Sequence, residues 1–328
     1  MESSSSGPTF DSIPVNTKTL VCSLNIRFDL IKLFDALEPS PTPPPTKKRT
    51  RLARASSTQH HHKKATDEPG VASVGSNQAG DVVSVKLETM SHEQRKGHLF
   101  DGRVGSKPFR NSVAVDIFVA NGKRINVKIS SNGCLQLTGG QCCAHGLQAV
   151  ELLLWKIGRA PGVYELTDPD PAAPMKMYVI SVMRNISFSL GFCVSRESLG
   201  KLLNDHADYQ ALWAPQYSYA GLNVKRWLPY SQRDVKLFRL QDVTADAGPR
   251  KWRLVGNVGV DEFLRLQEQT KGPGASRKML NDIVMTFLVF QSGKVIFSGL
   301  NSKTMRGPYR DFVDLVHRSR RVVEEVIS

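Results

Sequence analysis

Five cysteines stand at positions 22, 134, 142, 143 and 193. Thiols at metal-binding spacing would come in C-x-x-C pairs, and none of these do. The adjacent Cys142 and Cys143 are poorly placed to clamp one ion. An odd set of unpaired thiols reads as buried or incidental cysteines in a reducing compartment. His60-His61-His62 sits in a Lys-flanked, Ser-rich stretch and reads as low-complexity sequence rather than a metal site. Asp311 and Asp314 share a helical face, and a solvated face is the plain reading. The arrangements G-x-S-x-G, G-x-x-x-x-G-K-[ST] and H-E-x-x-H do not occur in the sequence. No enzymatic activity, cofactor, metal or small-molecule substrate is therefore expected.

Charge is the chemistry the sequence offers in quantity. The chain has 44 Lys+Arg against 30 Asp+Glu, a net charge of +14 and a pI near 9.7. An excess of this size points to a polyanionic partner, either nucleic acid or an anionic membrane surface. No window reaches the roughly 18 apolar residues of a membrane span. The opening Met1-Glu2 and its four serines lack a signal pattern. Lys47, Lys48, Arg49 and Arg51 form a tight cationic cluster, either a localisation signal or a nonspecific DNA-binding arm.

The elements that must position any site follow from periodicity. Residues 1–16 read as a disordered tail. Leu24, Ile26, Phe28 and Leu30 alternate in a strand over 20–30, and a short helix spans 29–37. Composition shifts at Glu38. Residues 38–98 are rich in Pro, Ser, His, Gly and Lys and cannot bury enough apolar surface to offset their ordering entropy, so they read as a disordered basic insertion. Val113, Val115, Ile117 and Val119 alternate, and Asn121-Gly122 signals a hairpin. Strands follow at 125–129 and 135–138, then a helix at 141–157. A linker at 158–176 carries four prolines.

The pattern then restarts. Phe188, Leu190, Phe192 and Val194 alternate, Ser195 caps a helix to about 206, and 219–228 reads as a strand. An insertion at 229–280 is long enough to hold secondary structure of its own. Strands at 286–290 and 295–298 flank a Gln291-Ser292-Gly293-Lys294 turn. A last helix begins at Pro308, with Tyr309, Phe312, Val313, Val316 and Val323 as its apolar face. Residues 128–140 (KISSNGCLQLTGG) align without gaps on 288–300 (LVFQSGKVIFSGL), an offset of 160. The entry strands align at 164, Phe28 on Phe192. Matched element order with matched glycines indicates a duplication: repeat one at 17–157, the 158–176 linker, and repeat two at 177–328.

At these residues the sequence resembles the TATA-box-binding protein family. Its repeats carry a strand–turn–strand of the form hydrophobic-Ile-Phe-x-Ser-Gly-Lys-hydrophobic-x-x-Thr-Gly, and residues 288–299 are similar. Tyr219-Ala220-Gly221-Leu222 ahead of Lys225 resembles the family's Phe-Pro-Gly-Leu ahead of an arginine. Residues 183–192 (MRNISFSLGF) look most like the divergent versions encoded by large DNA viruses. The resemblance covers 17–37, 109–157, 178–228 and 280–328, and leaves both insertions unexplained.

The resemblance implies an α+β fold: a pseudo-twofold saddle whose curved antiparallel sheet carries its helices on the convex face. It implies a transcription initiation factor that binds promoter DNA through the minor groove and bends it. Partners would be double-stranded promoter DNA, a transcription factor IIB-like protein and RNA polymerase machinery, in the nucleus or in a viral factory or virion. Minor-groove binding reads width and deformability more than hydrogen-bond pattern. Ile296, Ser298, Gln136 and Thr138 are implied on the DNA face, and Asn185 there or on an edge strand. Phe290 and Tyr219 occupy wedge positions, although alternation alone makes Phe290 a core residue. Lys294 and Lys225 occupy phosphate-contact positions. Repeat one departs: Ser130 stands at one wedge position, the other falls near Asn111–Ser112 with Phe109 close by, and Cys134 replaces the lysine. Pro215 and Tyr217 replace an acidic pair that receives transcription factor IIB. The alternative reading is an interaction scaffold of the transcription machinery with weakened DNA binding.

Overall fold

The computed structural model describes residues 9–37, 78–87, 112–168, 170, 172–213, 221–229, 232–241, 248–271, 281 and 283–325. The first half comprises β1 (Val15–Leu24), β2 (Ile26–Phe28), α1 (Leu30–Ala36), β3 (Val82–Leu87), β4 (Ser112–Val119), β5 (Lys123–Ser130), β6 (Cys134–Gly140), α2 (Cys143–Ile157) and β7 (Tyr164–Leu166). The second comprises β8 (Lys176–Ser189), α3 (Arg196–Asn204), β9 (Gln210–Leu212), β10 (Gly221–Leu228), β11 (Val235–Leu240), β12 (Trp252–Val258), α4 (Val260–Lys271), β13 (Ile283–Phe290), β14 (Lys294–Gly299), α5 (Ser302–Arg318) and α6 (Arg320–Val323).

One curved antiparallel sheet runs β3-β4-β5-β6-β1-β8-β14-β13-β10-β9, with β11 and β12 attached through β8. Exchanging each first-half strand for its counterpart reverses that order onto itself. The hairpin registers agree: Asn126 pairs with Thr138 as Thr286 pairs with Ser298, and Lys128 with Gln136 as Leu288 with Ile296. Gly133 and Gly293 turn these hairpins at φ of 75° and 74°. A Cβ there would collide with the carbonyl oxygen of Ile26 or of Phe192, respectively. Phe28 N donates to Ser131 O, and Val194 N to Gln291 O. These contacts match Ile26 with Phe192 and Phe28 with Val194, an offset of 166, so the sequence alignment of the entry strands at 164 was two residues out. A shift of two preserves which side chains face inward, so alternation cannot detect it. With 166 as the offset, the β1–β8 pairs from Val15–Ile186 to Leu20–Ser181 read the same in both directions about the pair Lys18–Arg184, and the two irregularities, at Asn16 and Val182, are counterparts.

Alternation divides the sheet into two faces. One is buried beneath α1 and α2 in the first half, through Leu20, Cys22, Ile125, Val127 and Leu137. In the second half the same face lies under α3 and α5, through Phe188, Val224, Phe287 and Phe297. Phe287 stacks between Phe297 and Phe312 at centroid distances of 4.0 and 4.2 Å. The opposite, open face carries the residues of alternate parity.

Several expectations are revised. Within the expected tail, Phe10 and Ile13 are buried, Phe10 against Tyr309. Within the expected disordered insertion, β3 pairs with β4 and buries Val82; the rest of 38–98 falls outside the described residues apart from Gln78 to Asp81. The strand expected over 20–30 breaks at Asn25, whose side chain accepts from Lys176 N and donates to Pro174 O. The linker holds β7, paired with β2. The last helix starts six residues before Pro308, because Asn301 and Thr304 form a capping box and Met305 is buried in the core.

Candidate nucleic-acid interface

In the second half the open face is a ladder of small polar and branched side chains. Across the strands runs the row Lys225–Thr286–Ser298–Asn185–Thr17, and beside it Asn223–Leu288–Ile296–Ser187. Gly221 makes room for Leu288, whose Cδ1 would lie 2.5 Å from a Cβ there. Asn185 sits on β8, between β1 and β14, so the edge-strand alternative is excluded. The Oδ1 atoms of Asn185 and Asn223 are buried and accept no hydrogen bond among the described residues. Each is an acceptor whose capacity is unused, which is uncommon for a buried polar atom.

Phe290 ends this face. It is half-buried and of opposite parity to the core rings Phe287 and Phe297. Lys294 is exposed at the hairpin tip and Lys225 is half-buried; neither makes an ion pair among the described residues. Tyr219, Pro215, Tyr217, Phe109, Asn111, His60 to His62 and the cluster Lys47, Lys48, Arg49 and Arg51 lie outside the described residues. Trp227 and Val284 pair across β10 and β13 and are exposed on the same face. Alternation from Lys225 would have placed Trp227 there.

The first half differs in kind. Gln136 is exposed and Thr138 half-buried, at the positions of Ile296 and Ser298. Ser130 pairs with Ser112 as Phe290 pairs with Gly221. Ser112 thus matches Gly221, and the positions matching Tyr219 lie outside the described residues. Asp116 takes the position of Lys225, since it pairs with Asn126 as Lys225 pairs with Thr286. Its carboxylate accepts from Ser84 Oγ at 2.7 Å, Asn126 Nδ2 at 2.9 Å and Arg124 Nη2 at 2.5 Å. Burial pushes this carboxyl up, but donation from Asn126, Arg124 and Ser84 prevails and holds it below its ordinary value. A cation position in one half is thus a satisfied anion in the other, which the sequence reading missed.

The midline holds a further departure. Helix α4, from the 229–280 insertion, packs on the open face over β1 and β8. Phe263 and Leu264 are buried against Ile180 and Val235, with Tyr178, Val182 and Val258 around them. The Phe263 and Tyr178 rings lie 5.4 Å apart, and Ser23 Oγ donates to Gln267 Oε1 at 3.1 Å. Residues 177–183 (MYVISVM) are apolar on both parities. Such a run signals a strand covered on both faces, and it could have revealed the cover.

Outside this face, Asp311 accepts from Arg226 Nη1 at 3.0 Å and Asp208 from Nη2 at 3.3 Å, tying α5 to β10. Cys22 is buried, and desolvation with Cys134 and Cys143 nearby pushes its thiol up. Among the described residues no cluster of three His, Cys, Asp or Glu could hold a metal, and no helix is long and apolar enough to cross a membrane. No family model and no curated protein matches the chain. Among solved structures it is similar to Methanococcus jannaschii TBP, at 10% identity and a TM-score of 0.43, covering 95% of this chain and 99% of that one. At that level of likeness, function has to come from the residues of the open face.

Proposed function

We propose that this protein is a non-enzymatic, TATA-box-binding-protein-like initiation factor that binds promoter DNA through the minor groove and bends it. In this reading the sheet is a pseudo-twofold saddle with α1, α2, α3 and α5 on its convex side. It serves a transcription factor IIB-like protein and an RNA polymerase, in the nucleus or a viral factory or virion. The observation that carries the reading is the second-half open face. Hydroxyls, amides and branched side chains form a shallow ladder there, Phe290 stands at its end, and Lys225 and Lys294 are free of ion pairs among the described residues. Lysines reach phosphates and fix position, while a low, mixed surface suits a groove read by width.

The test is a binding assay on AT-rich duplex at several salt concentrations. With about four to six phosphates neutralised, log K should fall against log salt with a slope of about −4 to −5. Undetectable affinity at low salt, or affinity indifferent to salt, would sink the reading. The second reading is an interaction scaffold with weak or lost DNA binding. Two observations favour it: Asp116 at the position of Lys225, and α4 over the midline.

A further inference from the structure

We propose that α4 is an intramolecular cover on the open face, which must leave β1 and β8 before a duplex can lie along both halves. The inference rests on the promoter-binding reading. Strands β1 and β8 are the middle two of the ten in sheet order, so a duplex following the face from one half to the other crosses them. A helix with its side chains is about 10 Å across. With α4 in place a duplex would stand off the midline by roughly that distance, too far for direct contact.

The cover is built to be separable. Val260, Phe263, Leu264 and Gln267 lie at positions i, i+3, i+4 and i+7 on one stripe, and that stripe makes the packing contacts with the sheet. The cluster it joins is small and distinct from the two cores under the other helices. A 12-residue helix is marginal alone in water, so its order depends on this contact. Gly259 immediately precedes it in open space. The outward side carries Asp261, Glu262 and Glu268 against Arg265, so the closed form presents mostly carboxylates toward an approaching phosphate backbone.

What lies beneath resembles the exposed ladder. Departure of α4 uncovers Ser23, Tyr178, Ile180 and Val182, a branched and hydroxyl surface continuous with Thr17, Asn185 and Ser187. The counterpart of Val182 is Asn16, which donates to Ser187 Oγ. The apolar patch therefore belongs to one side of the midline, the side that α4 covers.

Apparent affinity scales with the fraction of molecules in the competent state. The experiment measures anisotropy of a labelled AT-rich duplex with the full chain and with Phe263→Ser, at one salt concentration. The variant should bind at least tenfold tighter. Gln267→Ala, a milder change that keeps the apolar contacts, should bind two- to fivefold tighter and guards against a misfolded Phe263→Ser. Hydrogen exchange of the wild-type amides at 263–268 should accelerate when duplex is added. Wild-type binding with neither variant tighter and exchange unchanged overturns the cover and leaves the promoter reading standing. No binding by the wild type or by either folded variant removes both.

Discussion

Phe290→Ala and Ser130→Ala probe equivalent positions with unequal side chains. Phe290 is half-buried, while its neighbours of opposite parity, Phe287 and Val289, are buried in the core. A core Phe→Ala costs about 3–5 kcal/mol, so a half-buried ring should cost roughly 1.5–2.5 kcal/mol of folding stability. That is well within the roughly 5–15 kcal/mol of a typical domain. On DNA the same ring would enter an opened base step. Loss of a stacked aromatic is worth about 1–3 kcal/mol, or roughly 5- to 150-fold in affinity. Ser130 has only a hydroxyl to lose, opposite Ser112, and its removal should change stability and affinity by less than about 0.5 kcal/mol. Bending should therefore concentrate at the second-half end of the site. Fluorescence transfer between duplex ends reports the bend and titration reports the affinity, both well below the melting temperature, with circular dichroism confirming the fold. Equal effects of the two substitutions, or a bend unchanged by Phe290→Ala, would show that the open face is not the DNA face or that Phe290 is not its wedge.

Gly293→Ala forces a Cβ onto the Phe192 carbonyl at φ 74°; it should cost more than about 1–2 kcal/mol in urea denaturation, and a neutral result would discredit the turn geometry. Asp116→Asn leaves a buried amide facing donors and should cost about 1–3 kcal/mol near neutral pH. Because the folded carboxyl is held below its unfolded value, this contribution is present above the unfolded pKa and is lost as pH falls through the folded one. The gap between wild type and variant in denaturation should thus narrow in acid; a gap that widens would refute the assignment.

Where one side chain or one turn decides the structure, the sequence was readable. Ser195 caps α3 as expected, its Oγ accepting from Ser198 N, and the two glycine hairpins fall in the register that the 160-residue offset predicts. Long-range pairing was less readable. The entry-strand offset was misjudged by two because inward-facing parity repeats every two residues. Strand β3 was missed because Val82 and Ser84 find their partners, Ile117 and Asp116, more than thirty residues away, across sequence of a composition that predicts disorder. Reading Pro308 as a helix start weighed one residue's backbone preference against a capping box and a buried Met305, and tertiary packing won. For the candidate site, the parity of Phe290, Lys225, Ile296 and Ser298 was legible. The cover was legible only in part: the run 177–183, apolar on both parities, marks a strand covered on both faces, but a short amphipathic helix does not reveal which distant face it will choose.

Strand β8 bears on how the molecule deforms under load. Its 14 residues pair along one edge with β1, and along the other with β14 and then β11. The two halves therefore share a continuous hydrogen-bonded ladder through β1 and β8. A torque applied at the Phe290 end is passed through β14 into β8 and across to β1 as added twist. Bulges kink strands and raise local twist, so the irregularities at Asn16 and Val182, with the one between Lys18 and Leu20 against β6, concentrate twist near the midline of the sheet. Val182, one of them, packs against the cluster that α4 joins, so the covering helix and a twisted segment of β8 share one seat.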